Sequence, residues 1–241
     1  MFSLADVVLI VLVAFVSLIV CGGIAMAIAY ASHSFHGEIK DLASDVLVFI
    51  PAQIVSYILT VGFMVLLIWG RYRTSFLEAI RWNPPDAKNA SWAVAGGAAL
   101  ALFSQVASGL LQRWIPKSLP IEQYFRTPSA AYALAVFGIL VAPLVEELFF
   151  RGFLYPSLAR PLGSATAVVL TAGAFAMLHS EQLAHAWIPL LLLFAVGTVL
   201  TAVRARTKSV ATTVLMHMAY NFTLFALLFY ATQGFRHMEQ A

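Results

Sequence analysis

Seven long apolar runs dominate the chain, at about 4 to 31, 46 to 69, 91 to 111, 131 to 159, 164 to 181, 186 to 203 and 208 to 231. Each is close to the roughly 20 residues an α-helix needs to cross about 30 Å of hydrocarbon. Of the 241 residues, 61% are hydrophobic and 10% charged, a balance no single soluble core of this size could bury. The expected fold class is therefore all-α, a polytopic membrane bundle of seven to eight transmembrane helices forming one integral membrane domain over residues 1–241. The first run lacks a basic n-region, carries Asp6 and stays apolar for too long to be a signal-peptide h-region, so it reads as a retained span. Cys21 is the sole cysteine, which excludes an intramolecular disulfide.

Loop charges set an expected orientation. Arg71, Arg73, Arg81, Lys88, Arg160, Arg204, Arg206 and Lys208 fall in the second, fourth and sixth connections, against Lys40, Arg113, Lys117 and Arg126 in the others. The positive-inside rule then puts the amino terminus in the cytoplasm. The net charge of +3 belongs to these loops, and no basic stripe with interleaved aromatics suggests nucleic acid as a partner. Residues 70 to 90 read as a short amphipathic turn ended by Pro84-Pro85, and residues 112 to 130 as an interfacial loop anchored by Trp114, Tyr124 and Phe125. Both are expected to cover helix ends.

The fourth run contains groups that hydrocarbon does not tolerate. Glu146, Glu147 and Arg151 lie within six residues of an otherwise apolar stretch. Each ionisable side chain at the centre of a membrane helix costs about 2.5 to 3.5 kcal/mol on insertion scales, and such groups are by default functional. His179 near the end of the fifth run, and His217 and Asn221 in the seventh, are similarly misplaced. Glu147 and Arg151 stand at i and i+4 with the acid first, the favourable order for an ion pair. Arg151 is thus expected to neutralise Glu147 and fix the helix, leaving Glu146 free for general base chemistry. Gly152 and Pro156 suggest a kink that admits water or substrate.

Counting from the turn near Pro161 to Gly163, Glu146 lies fifteen residues before Pro161 and His179 sixteen after Gly163. Both fall about 22 to 24 Å from that turn, so an antiparallel hairpin brings them level. The seventh run starts on the same side, which places His217 one to two turns nearer that face and Asn221 four residues deeper on the same stripe. One polar cluster from three helices follows. Glu146, His179 and His217 are also a ligand set that zinc uses in hydrolases, with water in the fourth position, although the HExxH signature is absent.

Taken in order, these residues resemble the signature of the CPBP family of intramembrane proteases, which includes the Ras-converting CAAX prenyl endopeptidases and the Abi proteins. Its EExxxR, FxxxH and HxxxN motifs read here Glu146-Glu147-Leu-Phe-Phe-Arg151, Phe175-Ala-Met-Leu-His179 and His217-Met-Ala-Tyr-Asn221. The resemblance implies a catalytic core over about residues 130–226 and an endopeptidase acting on a membrane-associated protein or peptide, by CAAX-type or C-terminal-signal processing. It implies that Glu146 activates the attacking water with help from His179, that Glu147 and Arg151 support, and that His217 with Asn221 stabilises the oxyanion. Asn221 is a poor zinc ligand and a good amide donor, which favours a glutamate mechanism needing no metal. A zinc site of Glu146, His179 and His217 is the alternative. Compact size suggests a bacterial inner-membrane member.

Two other function classes fit some of these features. A proton-coupled transporter also carries intramembrane Glu and His, but no inverted repeat or pair of broken helices is visible. A non-catalytic membrane scaffold would use the polar groups only to lock helices together.

Overall fold

The computed structural model describes residues 2–32, 45–125 and 127–238. Lys40 and Arg126, counted above among the loop cations, lie outside the described residues. Ten α-helices appear among the described residues: α1 (Leu4–Ala31), α2 (Val46–Leu67), α3 (Phe76–Ala79), α4 (Ala87–Leu110), α5 (Pro128–Val136), α6 (Ala142–Phe149), α7 (Tyr155–Leu162), α8 (Ser164–Leu178), α9 (Trp187–Thr207) and α10 (Val210–Ala231). The fold is an all-α polytopic bundle, with no strand among the described residues.

Six helical segments among the described residues are long and apolar enough to cross a bilayer: Leu4–Ala31, Val46–Tyr72, Ala87–Leu110, Pro128–Leu162, Trp187–Thr207 and Val210–Ala231. The remaining expected span, α8, is a 15-residue helix. At 1.5 Å per residue it covers about 22 Å, short of the hydrocarbon thickness. Polar caps explain where several helices begin. Ser3 and Asp6 form a capping box on α1, and Asp45, Asp86, Thr127 and Ser209 accept from first-turn N–H groups of α2, α4, α5 and α10. Gly163, at φ 80°, supplies the backbone turn between α7 and α8 that a side chain would strain.

The 35-residue segment Pro128–Leu162 is one helical rod with two interruptions. Sequence reasoning placed a single kink, at Pro156; the rod has two π-helical turns, Phe137–Val141 and Phe150–Leu154. Each ends just before a proline, Pro143 or Pro156. A proline ring clashes with the carbonyl four residues back in a regular α-helix, and the wider turn removes the clash. Glu146 and Glu147 sit between the two interruptions, and Arg151 lies inside the second.

Helix α10 packs against α4, α6 and α9. Gly97 makes the α4 contact possible, since a Cβ there would stand 2.2 Å from the Met216 carbonyl oxygen. Helices α1 and α2 form a pair joined inside the apolar layer by Ser17 and Ser56, whose hydroxyls lie 2.9 Å apart. The pair meets the rod through the stacked rings of Phe2 and Phe153, 4.0 Å between centroids. The 70–90 connection is more than a surface turn. Ile80 is fully buried, the Val210 N–H donates to the Arg81 carbonyl at 3.1 Å, and the Ser209 hydroxyl donates to the Asn83 carbonyl. It clamps the turn between α9 and α10.

Candidate active site

Two of the four polar groups expected at the site come from elements that end or break near them. Glu146 lies on α6 between the π turns, His179 caps the C-terminus of the short α8, and His217 and Asn221 lie one turn apart on α10. All four line one cavity of about 930 Å³. Glu146, His179 and Asn221 are partly buried, and His217 is buried.

Glu147 and Arg151 do not line the cavity and are fully buried. Arg151 Nη1 donates to Glu147 Oε1 at 2.7 Å, the expected i, i+4 ion pair. Helix α9 completes the arginine's hydrogen bonds: its Nε donates to Thr201 Oγ1 at 3.2 Å and its Nη2 to the Gly197 carbonyl at 3.1 Å. The guanidinium carbon also lies 4.7 Å from the centre of the Phe175 ring. Each guanidinium nitrogen thus has an acceptor, as a buried arginine needs, whereas Glu147 Oε2 is buried with no hydrogen-bond partner among the described residues. The three-motif phenylalanine thus has a physical role, because the Phe175 ring also meets His179 at 5.0 Å and His217 at 5.8 Å.

His217 has a partner that the sequence did not indicate. Its Nδ1 lies 2.9 Å from Glu147 Oε1, so Glu147 holds the histidine as well as the arginine. A carboxylate accepts, so Nδ1 carries the proton and Nε2 is turned toward Glu146, 4.0 Å from its Oε2. The expected offset of one to two turns between His217 and Glu146 is not found. That count assumed regular α geometry through the rod and a seventh helix starting at 208, whereas a π turn intervenes and α10 begins at Val210.

His179 is fixed by its own helix. Its Nδ1 lies 2.9 Å from the Phe175 carbonyl oxygen, which can only accept, so Nδ1–H is the donor and Nε2 is left for a cavity guest. Asn221 Nδ2 donates to the Gly138 carbonyl at 2.6 Å, which leaves its second N–H.

The zinc set read from the sequence does not converge in this arrangement. No group of three His, Cys, Asp or Glu side chains among the described residues is placed to hold a metal. Each histidine has its Nδ1 engaged, on Glu147 or on the Phe175 carbonyl, and keeps Nε2 toward the cavity.

Sequence reasoning missed several contributors. Gln53 and Tyr57, one turn apart on α2, line the same cavity, and Tyr57 stacks on Phe137 at 6.0 Å and 15°. Their i, i+4 spacing inside an apolar run was the available signal. Ile121, Glu122 and Tyr124 of the 112–130 connection line the cavity too, so this loop roofs it; burial pushes the Tyr124 hydroxyl pKa up. Arg204, counted above as a loop cation, is buried within α9 at 3% exposure. Nothing in its local spacing separates it from the exposed Arg206 two residues on.

Fold and site together define a class: a helical membrane protein that gathers carboxylate, imidazole and amide groups around an internal cavity. Residues 128–223 match the family described as Rce1-like, type II CAAX prenyl endopeptidase Rce1-like. The match covers 96 of the 241 residues, includes all three motifs and supports the membrane-protease family that they resemble. No curated protein and no solved structure gives a significant match to the chain.

Proposed function

We propose that this protein is an intramembrane endopeptidase that cleaves a membrane-associated protein or peptide by CAAX-type or C-terminal-signal processing, with residues 130–226 as its catalytic core. The carrying observation is that Glu146, His179, His217 and Asn221 line one cavity inside the Rce1-like segment. The cavity's volume, about 930 Å³, is ample for a short extended peptide.

The 4.0 Å gap between Glu146 Oε2 and His217 Nε2 is too long for a direct hydrogen bond and suits a bridging water. Glu146 takes a proton from that water as its oxygen bonds to the scissile carbonyl carbon, with His179 Nε2 orienting the water. Negative charge then develops on the carbonyl oxygen, where the spare Asn221 N–H donates to it, and His217 does so through Nε2–H in its doubly protonated form, with Nδ1–H kept on Glu147. The C–N bond breaks as the proton held by Glu146 passes to the amine. Glu147 and Arg151 touch no reacting atom in this scheme; they hold His217 and the helix. No step is routed through a metal.

The orientation proposed is the amino terminus in the cytoplasm of a bacterial inner membrane, supported by Arg71, Arg73, Arg81 and Lys88 between α2 and α4. The mechanism is tested with the purified protein in nanodiscs and a farnesylated CAAX peptide carrying a fluorophore and quencher across the scissile bond. Cleavage that resists chelator and disappears in Glu146→Gln supports the glutamate mechanism. Cleavage lost to chelator and restored by zinc overturns it in favour of a metal. Proton flux into liposomes with no cleavage of any peptide supports the transporter instead.

A further inference from the structure

Each π turn in the rod creates one carbonyl that the rod cannot satisfy. The N–H that closes each turn pairs five residues back: Ala142 with the Phe137 carbonyl, and Tyr155 with the Phe150 carbonyl. By the same spacing the next carbonyls, Gly138 and Arg151, need the N–H of residues 143 and 156. Both are proline and have none. A buried carbonyl left unpaired costs about 1 to 3 kcal/mol. Each is instead met from another helix, Gly138 by Asn221 Nδ2 at 2.6 Å and Arg151 by Arg204 Nε at 3.0 Å.

We infer that Arg204 is a positioning residue of the active site, acting through the Arg151 carbonyl on the π turn that presents Arg151 to Glu147. Three residues of α9 at i, i+4 and i+7 then divide the work. Gly197 and Thr201 hold the Arg151 side chain, and Arg204 holds its backbone. Arg204 Nη2 also donates to the Ile80 carbonyl at 3.3 Å. Ile80 in turn packs on Gly152 inside the same π turn, where a Cβ would come within 3.2 Å of the isoleucine. The guanidinium fork is needed because it reaches two carbonyls on different elements at once. Loss of Arg204 leaves the turn free to shift, and the displacement passes through Arg151 and Glu147 to His217.

This inference rests on the peptidase reading for its kinetic consequence, and the test separates the two. In nanodiscs, with the quenched farnesylated CAAX peptide as probe, Arg204→Met is expected to lower kcat about 100-fold with KM nearly unchanged, the scale of an ångström misplacement at a reacting group. Arg204→Lys supplies one donor and falls between. Pro156→Ala restores an N–H within reach of the Arg151 carbonyl, so the double variant Arg204→Met/Pro156→Ala recovers about tenfold of the lost kcat, a coupling that separates repair from independent damage. Amide exchange over residues 149–157 is expected to quicken in Arg204→Met and to slow again in the double variant. Multiplicative kinetic losses, or unchanged kcat per folded molecule in Arg204→Met, overturn the positioning role. If the wild-type protein cleaves nothing, the peptidase reading fails, and exchange alone decides: local quickening repaired by Pro156→Ala supports the positioning role, and unchanged exchange overturns it.

Discussion

The imidazole of His217 rests on the carboxylate of Glu147, Nδ1 to Oε1 at 2.9 Å, at a point where neither side chain reaches solvent. Because the same oxygen also accepts from Arg151, one carboxylate couples the rod to α10 and to α9. Of the two adjacent acids, Glu147 is the organiser of the site, and Glu146 is left to face the cavity.

That arrangement predicts an asymmetry between breaking the pair and replacing it. Arg151→Met strands Glu147 as a buried anion and is expected to cost about 3 to 5 kcal/mol of stability. The double change Glu147→Leu/Arg151→Met removes both charges and is expected to recover most of that loss while remaining inactive, because His217 has lost its acceptor. Thermal unfolding in detergent, beside peptide cleavage, measures both. A double variant that cleaves normally contradicts the organising role.

Glu146→Gln should separate chemistry from folding. Among the described residues Glu146 makes no hydrogen bond, and its nearest ion-pair contact is the 4.0 Å approach of His217. The amide is isosteric, so the unfolding midpoint is expected to stay near wild type. Loss of a general base typically lowers the rate about 10²- to 10⁴-fold. Cleavage rates and unfolding midpoints on the same preparations check the pair of expectations. A Gln variant that cleaves normally would place the base elsewhere.

Much of this site was legible in the sequence because ionisable groups in hydrocarbon are conspicuous. Glu146, Glu147, Arg151, His179, His217 and Asn221 announced themselves by their surroundings, and i, i+4 spacing paired Glu147 with Arg151. The contact of His217 with Glu147 was not legible, since it depends on how α10 meets an interrupted rod. Pro143 and Pro156 were visible, yet a proline in a helical run is satisfied by a kink, a cap or a π turn, and only packing selects among them. Arg204 was hidden for a simpler reason. An arginine near the end of an apolar run reads as an interfacial cation, and its burial depends on Ile80 and Arg151, 124 and 53 residues away.

Asn221 is expected to have a structural task as well as a chemical one. Its Nδ2 is the donor for the Gly138 carbonyl. Asn221→Asp places an acceptor against an acceptor, so it should destabilise more than Asn221→Ala, which itself leaves the carbonyl unpaired at about 1 to 3 kcal/mol. Unfolding midpoints rank the two variants. If Asp proves the milder change, the Gly138 contact contributes little.

The close crossing of α4 and α10 gives a test that needs no substrate. A Cβ at Gly97 would meet the Met216 carbonyl oxygen at 2.2 Å, the Ala219 Cβ at 2.9 Å and the Tyr220 nitrogen at 3.0 Å, two of them backbone atoms that cannot rotate away. Gly97→Ala therefore forces the helices apart, with an expected cost of about 1 to 3 kcal/mol. Gly62, on α2, has open space where its Cβ would be, and Gly62→Ala should be neutral or slightly stabilising. Met216 and Tyr220 flank His217, so the strain at Gly97 also reaches the site. Cleavage by the folded fraction of Gly97→Ala should fall while that of Gly62→Ala does not. Equal unfolding midpoints for the two variants would show that α4 and α10 do not cross as closely as Gly97 allows.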